Sequence, residues 1–323
     1  MGVLRIIENG AVLIIDGKIE EVGVCRRLDR LAITRNAEEI DATGRVVLPG
    51  FIDASVGLLC APTRHDGAPL SSRVAEVRGW STQRMELEAR RRLRQFVRSG
   101  VTTMAAGCGY GLDETAELKA LRALGAISNL LISIEPVYRG GMAVPPEFEN
   151  RREDYTRWIA GTLLPLIQTR RLTRTVECQD WPELIEAATR LGFTTRVHDS
   201  HGRIRMNGVT AIRPGHPLPD GPVALTTGFD SGSSPVMGMQ AAIWLACRFG
   251  GLSPEEAITA ATINAAHALG VEKRVGSLAP GKDADLVILQ TSDYRDFCWY
   301  TGASLVGMVL RQGREVHPRI ERT

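Results

Sequence analysis

The strongest constraint on the fold is a change of texture at Pro49-Gly50 that reverses after Gly276. The residues before it read as short strands and turns. Residues 11–15 are rich in β-formers, Asp16-Gly17 is a hairpin turn, and residues 19–22 return alongside. Asp41-Ala42-Thr43-Gly44 is a second turn leading to Val46-Val47-Leu48. From Phe51 onward short apolar runs alternate with helical patterns, as βα units around a parallel sheet require. The spacing predicts a helix over 81–99, capped by Ser81, closed by Gly100 and followed by a strand at 101–104. Further helices are predicted over 113–124, 155–168, 181–191, 235–249 (with Ser234 as N-cap) and 253–269. Strands are predicted over 130–134, 194–197 and 223–226, and β texture returns at 285–289 and 306–310. The two β-rich ends, 1–50 and 275–323, are therefore expected to form one small composite β-sandwich domain flanking a (β/α) barrel of residues 51–274.

Bulk properties narrow the function. The chain is 44% hydrophobic and 24% charged with a net charge of +2, too balanced to recruit nucleic acid or an anionic membrane. The run Arg90-Arg91-Arg92-Leu93-Arg94 reads as a solvated helix face. Six scattered cysteines without CxxC spacing argue against a zinc knuckle or a disulfide framework and fit a reducing, cytoplasmic setting. Neither a signal peptide nor an apolar run long enough to span a membrane is expected.

Two stretches carry a family resemblance: Val47-Leu48-Pro49-Gly50-Phe51-Ile52-Asp53 and Gly276-Ser277-Leu278-Ala279-Pro280-Gly281-Lys282-Asp283-Ala284-Asp285-Leu286-Val287. In this order near the two ends, with Thr262-Ile263-Asn264-Ala265-Ala266 before the second, they resemble the amidohydrolase superfamily. Gly109-Tyr110-Gly111-Leu112, Ala143-Val144-Pro145-Pro146-Glu147, Val197-His198 and Gly232-Ser233-Ser234-Pro235 follow the order of imidazolonepropionases within it. The resemblance implies a Zn or Fe ion that activates water against a cyclic amide, held by an HxH pair, a later His and an Asp. The HxH positions here are Ser55 and Gly57, the Asp position is Gly228, and only His198 remains. The acid/base Glu position is His201 and a further His position is Met142. Glycine offers no ligand and neutral serine a poor one, so no metal cofactor is expected.

On the substrate side the resemblance implies that Arg64 binds a carboxylate and that Tyr110 lines the site; a surface arginine and a ring capping the barrel are the plainer readings. Asp230 lies two residues beyond Gly228, on the same face if the strand continues, so His198, His201 and Asp230 are candidate acid/base residues. The remaining histidines look incidental, and Asp53 is expected to orient the end of the first strand.

Length adds a further expectation. The barrel region has 224 residues, where a (β/α)8 barrel uses about 250. Only 29 residues separate His198 from Gly228, where three crossovers and two strands need roughly 40 or more. The predicted fold is thus an incomplete (β/α)8-type barrel lacking about two βα units, its open edge covered by a loop, a second copy or another protein. Three functions remain open: a non-hydrolytic pseudoenzyme or binding subunit, a metal-independent enzyme acting on a small carboxylated cyclic compound, and an amidohydrolase of cyclic C–N bonds.

Overall fold

The computed structural model describes residues 4–61, 70–230 and 234–318. Strands β1 (Gly10–Ile15) and β2 (Lys18–Val24) form the expected hairpin. Asp16 and Gly17 at its turn have φ of 50° and 77°, the left-handed pair that matches strand twist. Strand β3 (Val47–Pro49) then carries the chain through Pro49-Gly50 into the barrel.

Eight strands follow in one sheet, ordered as in the chain. They are β4 (Phe51–Val56), β5 (Val101–Gly107), β6 (Ser133–Gly140), β7 (Thr175–Gln179), β8 (Thr194–His198), β9 (Ile204–Met206), β10 (Val209–Ile212) and β11 (Val223–Leu225). Pairing is parallel from β4 to β8, antiparallel on both sides of β9, and parallel again between β10 and β11.

The stretch after β8, where about two βα units are expected to be missing, holds no helix but does hold strands. β9 and β10 fill it as a hairpin turned at Asn207-Gly208, whose φ values of 47° and 73° suit Asn and Gly. A tight hairpin needs about two connecting residues, where a parallel crossover needs about ten or more. The length count assumed the second kind. What residues 199–222 lack is helix, not strand.

β4 and β11 close most of the circle without a backbone ladder between them. The Gly57 N–H donates to the Phe229 carbonyl at 2.7 Å, and the Ser55 N–H to Thr226 Oγ1 at 3.0 Å. Buried Asp53 accepts from Thr226 Oγ1 at 2.5 Å, Thr227 Oγ1 at 2.6 Å and the Thr227 N–H at 3.1 Å. This carboxylate braces the seam, and it fixes where the loop after β11 enters the barrel mouth.

The outer helices follow their apolar spacing. In Thr82–Arg98 the residues Met85, Ala89, Leu93, Phe96 and Val97 are buried along one face, and Ser81 caps the first turn. The helix predicted over 155–168 runs as Arg152–Trp158, a wider turn Ile159–Leu163, and Leu164–Thr169, with Pro165 unable to donate a helical N–H. The one predicted over 253–269 breaks into Pro254–Ala260, with a full Ser253/Glu256 capping box, and Ile263–Leu269, because Thr262 is not helical (ψ −95°). The helix expected from 235 begins at Met239 behind Gly238; Ser234 instead donates its hydroxyl to the Thr227 carbonyl at 2.8 Å.

After the barrel, β12 (Leu286–Leu289), β13 (Val306–Arg311) and β14 (Arg314–Pro318) join β3 in an antiparallel sheet ordered β14-β13-β12-β3. The β1–β2 hairpin docks on it through the Ile19 N–H to Lys282 carbonyl bond at 2.8 Å and the Lys18–Asp283 ion pair at 2.5 Å. Ile19, Leu286, Ile288, Met308 and Leu310 form its core.

Candidate functional site

The carboxyl ends of the parallel strands converge on a polar cluster, the end of such a barrel where ligand sites are built. Residues two apart on a strand share a face, and this places Arg139 of β6, Glu177 of β7 and His198 of β8 side by side. Glu177 is the hub, with a side chain only 1% exposed. Its Oε1 lies 2.9 Å from Arg139 Nε in an ion pair and 2.9 Å from His198 Nε2 in a hydrogen bond. The Ser55 hydroxyl approaches both its oxygens, at 3.2 and 3.3 Å.

Arg139 reaches across the mouth. Its Nη2 donates to Ser55 Oγ at 2.6 Å and its Nη1 to the Tyr110 hydroxyl at 3.2 Å; Tyr110 in turn donates to Asp230 Oδ2 at 2.6 Å. Burial alone would raise the Glu177 pKa, but the charge of Arg139 and the contact with His198 hold the carboxyl well below its usual range. Burial likewise opposes the charge of Arg139, and Glu177 outweighs it, so the guanidinium is held above its ordinary value. Burial pushes the Tyr110 phenol well up, so it acts as a neutral donor. The turn carrying Tyr110 is held by buried Glu117, which accepts from the N–H groups of Gly109, Gly111 and Leu112 at 2.6, 3.0 and 2.9 Å.

The sequence-predicted residues separate here. His198, Tyr110 and Asp230 lie in one connected network with Ser55. His201 does not join it: its side chain is exposed on the turn after β8, with its backbone N–H on Asp199 Oδ1 at 2.9 Å. The candidate trio of His198, His201 and Asp230 is thus not assembled as a unit. Arg64 lies outside the described residues.

Glu177 and Arg139 were missed by sequence reasoning. The available signal was a single charged residue inside each of two otherwise apolar strand patterns, Thr175-Val176-Glu177-Cys178 and Val137-Tyr138-Arg139-Gly140. Buried charges of this kind are found only when paired.

The residues at the mouth do not fit a catalytic divalent metal. A Cβ on Gly57 would stand 2.0 Å from the Tyr110 hydroxyl, and a Cβ on Gly228 would stand 2.0 Å from Arg213 Cδ. Among the described residues no group of three or more His, Cys, Asp or Glu side chains is arranged to hold an ion. Beside the network lies a cavity of about 160 Å³ whose lining includes Cys60, Arg73, Tyr110, Leu112, Met142 and Asp230. The Nε of Arg73, one of the lining residues, is buried without a hydrogen-bond partner.

Known proteins resemble this chain in sequence and fold. Residues 179–314 match the amidohydrolase family model. The imidazolonepropionase of Geobacillus kaustophilus (strain HTA426) is 32% identical, with 98% of this chain and 92% of that protein covered. That of Porphyromonas gingivalis (strain ATCC BAA-308 / W83) is 27% identical, with 98% and 92% covered. The first alignment runs over 392 positions, more than the 323 residues of this chain, so the relative carries internal segments absent here. Among solved structures, E. coli guanine deaminase superposes with a TM-score of 0.68 at 16% identity, covering 98% of this chain and 94% of that one. Molinate hydrolase superposes with 0.65 at 16% identity, covering 97% and 94%.

Proposed function

The chain belongs to the amidohydrolase superfamily and is imidazolonepropionase-like, and from that premise we propose that it is a member without a catalytic metal, one that binds a small carboxylated cyclic compound at the barrel mouth. The observation that carries this reading is the occupation of the mouth. Tyr110 and Arg213 fill the space that side chains at 57 and 228 would need, and Arg139 is paired with Glu177 in the lumen. A bound Zn or Fe ion would supply hydroxide near neutral pH; the residues present offer His198 alone of the four expected ligands. The adjoining cavity supports a ligand of modest size. Its walls are largely apolar, Arg73 offers a guanidinium suited to a carboxylate, and Asp230 is suited to a ring N–H. The free state of all six cysteines supports a reducing, cytoplasmic setting, and no helix among the described residues is long and apolar enough to cross a membrane.

A second reading is favoured by the full-length similarity to imidazolonepropionases: hydrolysis of a cyclic C–N bond. In that case the His198–Glu177 pair is the best available base, taking a proton from water as its oxygen bonds to the ring carbonyl carbon and returning one to the departing ring nitrogen.

The test is elemental analysis of natively purified protein, with calorimetric titration and turnover assays using imidazolonepropionate. Binding without turnover and without stoichiometric Zn or Fe is the expected result. Metal-dependent turnover overturns the first reading in favour of an ordinary hydrolase. Metal-free turnover, lost in His198→Ala, selects the second.

A further inference from the structure

Three glycines at the barrel mouth serve as sockets for other residues. The Cβ that Gly57 lacks would stand 2.0 Å from the Tyr110 hydroxyl, that of Gly107 2.2 Å from Arg139 Nε, and that of Gly228 2.0 Å from Arg213 Cδ. The groups seated there are the Tyr110 phenol, the Arg139 guanidinium and the methylene stem of Arg213. They face two carboxylates: Glu177 pairs with Arg139, and Asp230 lies within electrostatic reach of both arginines. Arg139 and Arg213 thus meet Glu177 and Asp230, two cations against two anions. A divalent ion added here would bring two further positive charges into a site already holding two, where burial amplifies every Coulomb interaction.

Arg139 stands at the centre of this balance. Its three nitrogens face Glu177, Tyr110 and Ser55, so one planar group ties together β4, β6, β7 and the Gly109-Tyr110-Gly111 turn. We propose that Arg139 is a built-in cation that takes the place of a divalent metal in this barrel mouth and keeps such ions away from Glu177 and His198. The inference rests on the metal-free reading above. A guanidinium supplies positive charge and oriented donors, but it has no exchangeable coordination position and acidifies no bound water. The mouth thus keeps its electrostatic order while losing the means of making hydroxide.

The experiment is Zn²⁺ titration of the full chain, followed by calorimetry, bound-metal analysis and thermal melting, for the native protein, R139A, R139K and R139A/H198A. Native protein and R139K are expected to take up no stoichiometric zinc and to show no saturable zinc-dependent rise in melting temperature. R139A, which exposes Glu177 and His198, is expected to bind zinc about tenfold or more tightly than native protein, and R139A/H198A to lose that gain. If R139A does not fold, R139Q removes the charge while keeping a donor toward Glu177. Stoichiometric zinc on native protein overturns the proposal, as does a folded R139A or R139Q with no gain in zinc affinity. Failure of imidazolonepropionate to bind, with the zinc results as expected, counts against the proposed ligand and leaves the cation assignment standing.

Discussion

The Tyr110 hydroxyl occupies the place where a side chain on Gly57 would begin, 2.0 Å from that missing Cβ. Gly57 is also held at the seam by its N–H bond to Phe229, so the backbone has little freedom to yield. Gly57→Ala must therefore move Tyr110 and break its 2.6 Å bond to Asp230. Overpacking of this kind costs about 1–3 kcal/mol, and chemical denaturation of the variant measures it directly. An unchanged denaturation midpoint would show that Tyr110 is not packed there.

The Glu177–Arg139 pair is buried on the carboxylate side. Glu177→Gln leaves Arg139 without its counter-charge and is expected to destabilise the fold by about 3–5 kcal/mol. The double variant Glu177→Gln with Arg139→Gln should recover part of that loss. A double-mutant cycle by urea denaturation reads the coupling; simple additivity of the single changes would refute it.

Asp53 sets a pH dependence of definite sign. Burial pushes its carboxyl up from 3.8 to about 6, against the hydrogen bonds from Thr226 and Thr227. The folded state then binds a proton more tightly than the unfolded chain, so this group's contribution to stability is greatest below pH 3.8 and is lost as pH rises through 6. The full effect is about 3 kcal/mol at the usual conversion. Glu177 works the other way: its stabilisation is present above its unfolded value of 4.5 and is lost as pH falls toward its depressed folded value. Comparing Asp53→Asn with native protein cancels the Glu177 part. The difference in unfolding free energy between the two should change between pH 4 and 6, and a pH-independent difference would contradict the assignment.

The β9–β10 hairpin depends on the backbone at Gly208. Nothing lies within 4 Å of a Cβ added there, so only its φ of 73° resists substitution. Gly208→Val is expected to cost about 1–2 kcal/mol from left-handed strain, while Gly208→Asn, whose side chain tolerates that conformation, should cost clearly less. Thermal melting distinguishes the two; equal effects would mean that the turn is not of this kind.

Arg73 carries the ligand prediction. Arg73→Ala should weaken binding of carboxylated rings by about 1.5–3 kcal/mol, the range for a hydrogen bond to a charged group, while leaving thermal stability nearly unchanged. Arg73→Lys should restore little of it, because a lysine cannot form the planar two-point contact. Titration calorimetry checks both, and full binding by Arg73→Ala would show that the carboxylate does not bind at Arg73.

Local pattern and motif order carried most of the architecture. The texture change at Pro49-Gly50, the Asp16-Gly17 turn, the Ser81 and Ser253 caps and the two terminal motifs correspond to observed elements, because caps, turns and strand periodicity act between near neighbours. The absence of ligand side chains at Ser55, Gly57 and Gly228 could be read residue by residue, since a glycine offers no ligand in any fold. Asn207-Gly208, the turn between β9 and β10, is also a short-range signal, whereas chain length does not distinguish a hairpin from a crossover. What replaced the ligands could not be read in this way. Glu177 lies 122 positions from Ser55, and Tyr110 lies 120 from Asp230. Those contacts exist only once β4, β6, β7 and β8 are aligned in register, because side-chain charge and volume compensate through space and leave no fixed spacing along the chain.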